Sequence, residues 1–335
     1  MVGNASRAAI ISDRRITGLS AGVIAELVAE LGPLWHERHQ ARLASGPRKR
    51  AVGASAKHRL VLVDRLLPTL VHLRHGATHD VLACWFGVDR STITRAVGEV
   101  RPLLAERGCT VNPDVRLRSL ADVLDHLGAG GKTGIVDGTE IRVRRPAAGR
   151  KDREAFISGK NKQNAVKSMV VTDREGRVLW CSPARPASCA DITHARQLGL
   201  VKLLADGPAV EILADAGYQG LGAQTGGRVV TPPHRKFKKN APDWYEEMYE
   251  RQRKAHSSRH IRVEHGIAHL ENWRALARHL GRREHMSDTV QAVAGLLSHQ
   301  QTADLTSTRQ RGTPSPATIL EASLPTVHEL VKAVP

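Results

Sequence analysis

The sequence predicts a two-part α/β chain: an all-α helix-turn-helix domain, then a mixed sheet flanked by helices. Three observations carry this prediction. Apolar residues recur at helical spacing through the first 127 residues. From Gly134 onward the pattern becomes short alternating or apolar runs bounded by glycine and aspartate. Those runs follow the order β-β-β-α-β-β-α, which a mixed sheet covered by helices satisfies. The expected divisions are 1–56 (helical region and basic linker), 57–127 (helix-turn-helix), 128–302 (sheet domain) and 303–335 (flexible tail). A length of 335 residues exceeds one usual domain, and 41% hydrophobic residues exclude wholesale disorder.

The charge is the strongest compositional signal. Fifty Lys and Arg against 33 Asp and Glu leave +17, which draws the chain to polyanions. Cys84, Cys109, Cys181 and Cys189 form no CxxC pair, so neither a zinc ribbon nor a disulfide scaffold is expected. The N-terminus lacks the apolar run of a signal peptide, and no stretch approaches about 18 apolar residues. A cytoplasmic location, no membrane and nucleic acid as partner are therefore expected.

In chain order, Leu19–Leu31 reads as a helix, followed by a Gly, Pro and Arg-rich connection containing Arg48, Lys49 and Arg50. KHRLVLVDRLLPTLVHLRHG is an apolar-periodic helix with Pro68 inside it. The segment HDVLACWFGVDRSTITRAVG then fills every slot of a helix-turn-helix. Ala83 is the small residue where two helices touch, and Gly87 tolerates positive φ in the turn. Leu82, Phe86, Val88, Ile93 and Ala96 supply the core. Arg90, Ser91, Thr92 and Arg95 are left on the outside of the second helix, and they are groove- and phosphate-reading residue types. RLRSLADVLDHL forms one more helix, ended by GAGGKTG. That glycine run is not a phosphate loop, because His126 stands where the first glycine is needed; no nucleotide cofactor is expected.

In the second half, IVDGTEIRVRR reads as strand, and NAVKSMVVTDREGRVLWCSP as two strands joined at Asp173–Gly176. DITHARQLGLVKLLADG is a helix, VEILADAGYQG and GRVVTPP are strands, and SRHIRVEHGIAHLENWRALARHL is a long helix. Three carboxylates stand out. Asp137 and Asp215 end apolar strand runs, and Glu264 has Ile261, Ile267 and Ala268 as helical neighbours, which predicts a core-facing position. Converging carboxylates repel unless a cation lies between them, and Mg²⁺ suits an all-oxygen site. His265 and His269 lie four apart, but Glu264 precedes rather than follows the first histidine, against a zinc-hydrolase pattern.

With these residues in view, positions 57–300 resemble bacterial insertion-sequence transposases of the DDE type, insertion-sequence family five. The blocks LACWFGVDRSTITRAV, IVDGTEIRVRRP, GKNKQNAVKSMVVTD, SCADITHAR, ILADAGYQG and RVEHGIAHLENW carry the match. The resemblance implies a ribonuclease-H-like catalytic domain whose triad Asp137, Asp215 and Glu264 holds two divalent ions, Mg²⁺ or Mn²⁺. It makes Asp191 an accessory acidic position. It implies binding of terminal inverted repeats and target DNA as at least a dimer, with strand cleavage and strand transfer. Many relatives carry Tyr, Arg, Glu and Lys around the glutamate; here Ser257, His260, Glu264 and Glu271 occupy those places. Arg259 and Arg262 stand beside His260 as substitute contacts to DNA. Two other classes fit the same residues: a DNA-binding protein without catalysis, and a ribonuclease-H-like nuclease for branched DNA. Flanking inverted repeats separate the first from a transposase, and cleavage without joining marks the second.

Overall fold

The computed structural model describes residues 4–45, 61–149, 151–234, 242–279, 281 and 283–312. The basic cluster Arg48–Arg50 and residues 313–335 lie outside them. The chain divides into two compact units: described residues up to Leu104 with those from His299 on, and Ala105–Ser298. Among the described residues no helix is long and apolar enough to cross a membrane.

The first unit is helical: α1 Asn4–Ser12, α2 Arg14–Thr17, α3 Ala21–Ala44, α4 Leu62–His75, α5 His79–Phe86 and most of α6 Arg90–Arg107. Leu67 and Val71 of α4, Leu82, Ala83 and Phe86 of α5, and Ile93 and Val97 of α6 form one apolar cluster. Gly87 takes φ 61° between α5 and α6, so the turn that the sequence predicted is built on a left-handed residue. Glu99 fixes α6 from behind. It accepts from Arg65 Nη1 at 2.7 Å and Trp35 Nε1 at 3.2 Å.

The second unit begins with a hairpin the sequence reading missed, β1 Cys109–Asn112 and β2 Val115–Leu117. Then come α7 Leu120–Ala129, β3 Gly134–Val143, β4 Ala165–Thr172, β5 Val178–Cys181, β6 Arg185–Pro186, α8 Asp191–Gln197, α9 Leu200–Asp206, β7 Ile212–Ala214, α10 Leu221–Gln224, β8 Val229–Val230, α11 Asp243–Glu271, α12 Arg274–Ala277, β9 Arg278–His279 and α13 Met286–Gly312. The main sheet has the order β5-β4-β3-β7-β8, with β6 on β4 and β9 on β3. Strand β3 pairs antiparallel with β4 and parallel with β7.

Three sequence boundaries move. The end of the helix-turn-helix domain at 127 gives way to a division after Leu104, because Leu120, Val123, Leu124 and Leu127 of α7 are buried against the sheet core. The helix expected over 191–207 breaks at Gly199, φ 79°, into α8 and α9. The flexible tail expected from 303 is helical to Gly312: Arg14 holds Asp304 at 2.7 Å, and Gln300 Oε1 accepts from the Ser20 N–H at 2.6 Å.

Helix α11 lies across β3 and β4 at a close approach. A β-carbon on Gly266 would stand 2.7 Å from Thr172 Cγ2 and 2.9 Å from the Gly176 carbonyl. The backbone carbonyl cannot yield as a flexible side chain can. Gly266→Ala is therefore expected to destabilise this unit by about 1–3 kcal/mol. Urea unfolding checks this; an unchanged midpoint would refute the close approach.

Candidate functional site

Alternation along β3 assigns its faces. Val136 belongs to the core under α7 and α9, while Ile135 packs with Leu213 and Val263 of α11. Asp137, two residues past Ile135, therefore shares the α11 face. The parallel register Val136↔Ala214 brings Asp215, the first residue after β7, alongside Asp137. Asp215 also caps the short turn Ala216–Tyr218, accepting the Gly217 N–H at 2.9 Å. Asp137 accepts the Gly138 N–H at 2.6 Å. His260 of α11 reaches the same place, its Nε2 donating to the Val136 carbonyl at 3.3 Å.

Asp191 comes from the opposite face. Its Oδ1 lies 2.6 Å from where a β-carbon on Gly138 would stand, and Oδ2 lies 3.0 Å from the corresponding point on Gly217. Lys167 of β4 pairs with Asp191 at 3.0 Å. Three aspartates and a lysine thus meet where β7 ends beside the interior of β3, so Asp137, expected at a strand end, stands within a strand that runs on to Val143. Burial pushes the Asp137 carboxyl up to about 6; the Asp215 and Asp191 charges add to this, and the Gly138 N–H and His260 oppose it. The same three charges, after burial, raise the Tyr218 hydroxyl.

Glu264 is placed differently from expectation. The residues of α11 turned to the sheet are His260, Val263, Gly266 and Leu270, and Glu264 is exposed. The error was one of helical phase. Ile261, one of the apolar neighbours that suggested burial, is itself 43% exposed. Arg259 is engaged with Glu211 at 2.5 Å, and Arg262 is exposed. Lys167, Glu140, Tyr218 and His260 were not singled out as members of this cluster. A lysine inside the mostly apolar run AVKSMVV was the available signal for the first.

Among the described residues no three His, Cys, Asp or Glu side chains already stand where they could hold one metal ion together. The donor chemistry nevertheless fits a hard divalent cation. The gathered groups are carboxylates, and burial beside like charges holds one of them partly protonated near neutrality, a penalty that a bound cation removes.

In the first unit Arg90, Ser91 and Arg95 are exposed on α6 and Thr92 is half-buried. Arg95 Nη2 donates to Thr92 Oγ1 at 3.4 Å, and Arg90 stands 3.3 Å from Asp80. Thr94, exposed and bonded to His79 at 2.9 Å, belongs to the same surface and was not predicted.

A carboxyl raised from 3.8 to about 6 contributes stability below its ordinary value that is lost as pH climbs through about 6. With metal chelated, Asp137→Asn is therefore expected to stabilise the chain by up to about 3 kcal/mol at about pH 8 and by nothing at about pH 4. Urea midpoints at the two pH values check this; an equal shift at both would remove the buried-carboxylate account.

Two family models match the chain in tandem. The helix-turn-helix of DDE superfamily endonuclease covers residues 58–110, and the DDE superfamily endonuclease itself covers residues 136–298. No curated protein matches. The first match spans α4 to α6, and the second spans the mixed sheet with both aspartates and α11. The helical unit and the helix-flanked mixed sheet are consistent with a ribonuclease-H-like DDE domain behind a DNA-binding element. DNA binding and a nuclease-type enzyme follow at that level, and the two matches together support a DDE-superfamily, transposase-like protein.

Proposed function

We propose that the chain is a transposase of insertion-sequence family five. It binds the terminal inverted repeats of its own element as at least a dimer, cuts the ends and joins them to target DNA. The observation that carries this reading is the side-by-side placement of Asp137 and Asp215 on parallel strands, in a chain with a helix-turn-helix. Asp137, Asp215 and Glu264 would hold two divalent ions, Mg²⁺ or Mn²⁺. When bound, such ions lower the pKa of water and neutralise charge on a phosphate. Water attacks the phosphodiester at the element's end and releases a 3′-hydroxyl, which then attacks a target phosphodiester and displaces its 3′-oxygen. Arg90, Ser91, Thr92 and Arg95 read the repeat, and Arg259 and Arg262 hold backbone phosphate. The remaining basic surface supplies sequence-independent, salt-sensitive affinity.

Two results are expected. Asp137→Ala abolishes cleavage of repeat-ended DNA in Mg²⁺ while its binding stays within about threefold, since no base contact is lost. A variant that still cuts removes the assignment. Arg95→Ala weakens binding to the repeat by about 1–3 kcal/mol and narrows its preference over random DNA. Unchanged selectivity in a gel-shift competition would take α6 out of the recognition role.

A second reading, a sequence-specific DNA-binding protein without catalysis, is favoured by the exposed Glu264 and by His260 and Glu271 in place of basic residues. Tight repeat binding with no cleavage in either Mg²⁺ or Mn²⁺ decides for it.

A further inference from the structure

The far end of β3 gathers positive charge. Arg142, Arg144 and Arg145 join Lys162, Asn164 and His279 around an open cleft of about 360 Å³. Among the described residues no carboxylate pairs with Arg142, Arg144 or Lys162, and Arg145 has Glu154 only at 3.7 Å. Other arginines of the chain find close partners: Arg65 holds Glu99 at 2.7 Å, and Arg177 holds Asp173 at 2.5 Å.

The walls of the cleft are fixed. Strand β9 sets His279 beside Val143, and a β-carbon on Gly281 would stand 2.9 Å from His279 Nε2. Arg283 Nη1 donates to the Arg144 carbonyl at 3.4 Å. On the other side buried Ser158 ties a tight turn. Its carbonyl accepts the Lys162 N–H at 3.0 Å, and its Oγ accepts the Asn161 N–H at 3.0 Å. The turn holds Lys162 at φ 53°, the only positive φ among the described non-glycine residues. A glycine is free of strain at that φ, so the lysine side chain is kept at a conformational cost. Asn164 Oδ1 is buried with no hydrogen-bond partner among the described residues. A half-turn of that amide puts its NH₂ group at the same point, ready to donate to an anion.

Arginine forks and a lysine ammonium suit phosphate oxygens. The four permanent cations exceed what one free phosphate neutralises, so the fitting ligand carries several phosphates in a row. Val143, the last residue of β3, shares the Asp137 face by alternation and lies about 20 Å beyond it, at about 3.3 Å per residue. Along B-DNA, at about 3.4 Å per nucleotide of one strand, that is about six base pairs.

We propose that this cleft is a backbone-phosphate site for DNA, engaging the duplex about six base pairs from the phosphate that Asp137 addresses. The placement rests on the proposed role of Asp137 in cleavage; the ligand does not.

Fluorescence anisotropy of the full chain on a random-sequence duplex, over a series of salt concentrations, tests the ligand without reading cleavage. Arg142→Gln, Arg144→Gln and Lys162→Gln are each expected to lower the salt slope of log K by about 0.9. The triple variant loses about tenfold or more in affinity at about 0.15 M salt. Arg174→Gln and Lys202→Gln remove the same charge from exposed positions outside the cleft and are expected to leave both quantities unchanged. Lys162→Gly is expected to resist urea at least as well as the parent while losing the same slope, which a purely structural lysine would not do. Equal losses at cleft and control positions overturn the site. Uncharged methylphosphonates, placed singly along a repeat-ended duplex, test the placement. One about six base pairs from the cut phosphate weakens the parent and not the triple variant. Cleft-specific losses without that match keep the phosphate site and overturn its distance from Asp137. A chain that binds but never cuts removes the transposase reading and leaves the slopes standing.

Discussion

Two carboxylates on neighbouring parallel strands, where strands run about 4.8 Å apart, repel by roughly 3 kcal/mol at an effective dielectric near 20. That repulsion between Asp137 and Asp215 is the constraint around which this unit is arranged. Burial raises the Asp137 carboxyl to about 6, and the Asp215 and Asp191 charges add to that rise. Backbone N–H groups of Gly138 and Gly217 each take one oxygen, and His260 closes the α11 side. Asp191 adds a third negative charge, so Lys167 must stand beside it in a strand where every neighbour is buried. The fold thus assembles excess negative charge and offsets only part of it.

The supporting elements make this arrangement rigid. Strand β3 runs through the middle of the sheet, antiparallel to β4 and parallel to β7. Its Ile135 shares an apolar cluster with Leu213 and Val263, which sets the angular phase of α11. Gly266 lets that helix approach the turn after β4. The helix phase then delivers His260, not Glu264, to the aspartates. The DNA-reading unit follows a different logic. Its recognition helix is held by an apolar cluster on one side and by Glu99 with Arg65 and Trp35 on another, so the exposed residues of α6 stand on a firm support.

The overall charge of +17 therefore conceals two opposite requirements. A net positive charge draws the chain to polyanions, while Asp137, Asp191 and Asp215 gather negative charge at one place in the sheet. The family matches place the helix-turn-helix and the acidic sheet in one chain.

The sequence by itself determined whatever depends on neighbours in the chain. The helix-turn-helix was legible because its contacts lie a turn or two apart and its turn needs a left-handed residue, which Gly87 supplies. The placement of Asp215 just past a strand end was legible because an apolar run ending in Asp and Gly marks where a strand leaves the core, whereas Asp137, expected at a strand end, lies inside β3, which continues to Val143. Tertiary structure alone decided the rest. Asp191 and Lys167 meet Asp137 only because β4 lies beside β3 and two glycines open the sheet to an approach from its other face. The phase of α11 was hidden because its first four turns are mostly polar and exposed, so one-sided apolar spacing is confined to its last turns. Long-range packing against Ile135 and Leu213, which no local pattern encodes, set which residue of that helix faces the acids.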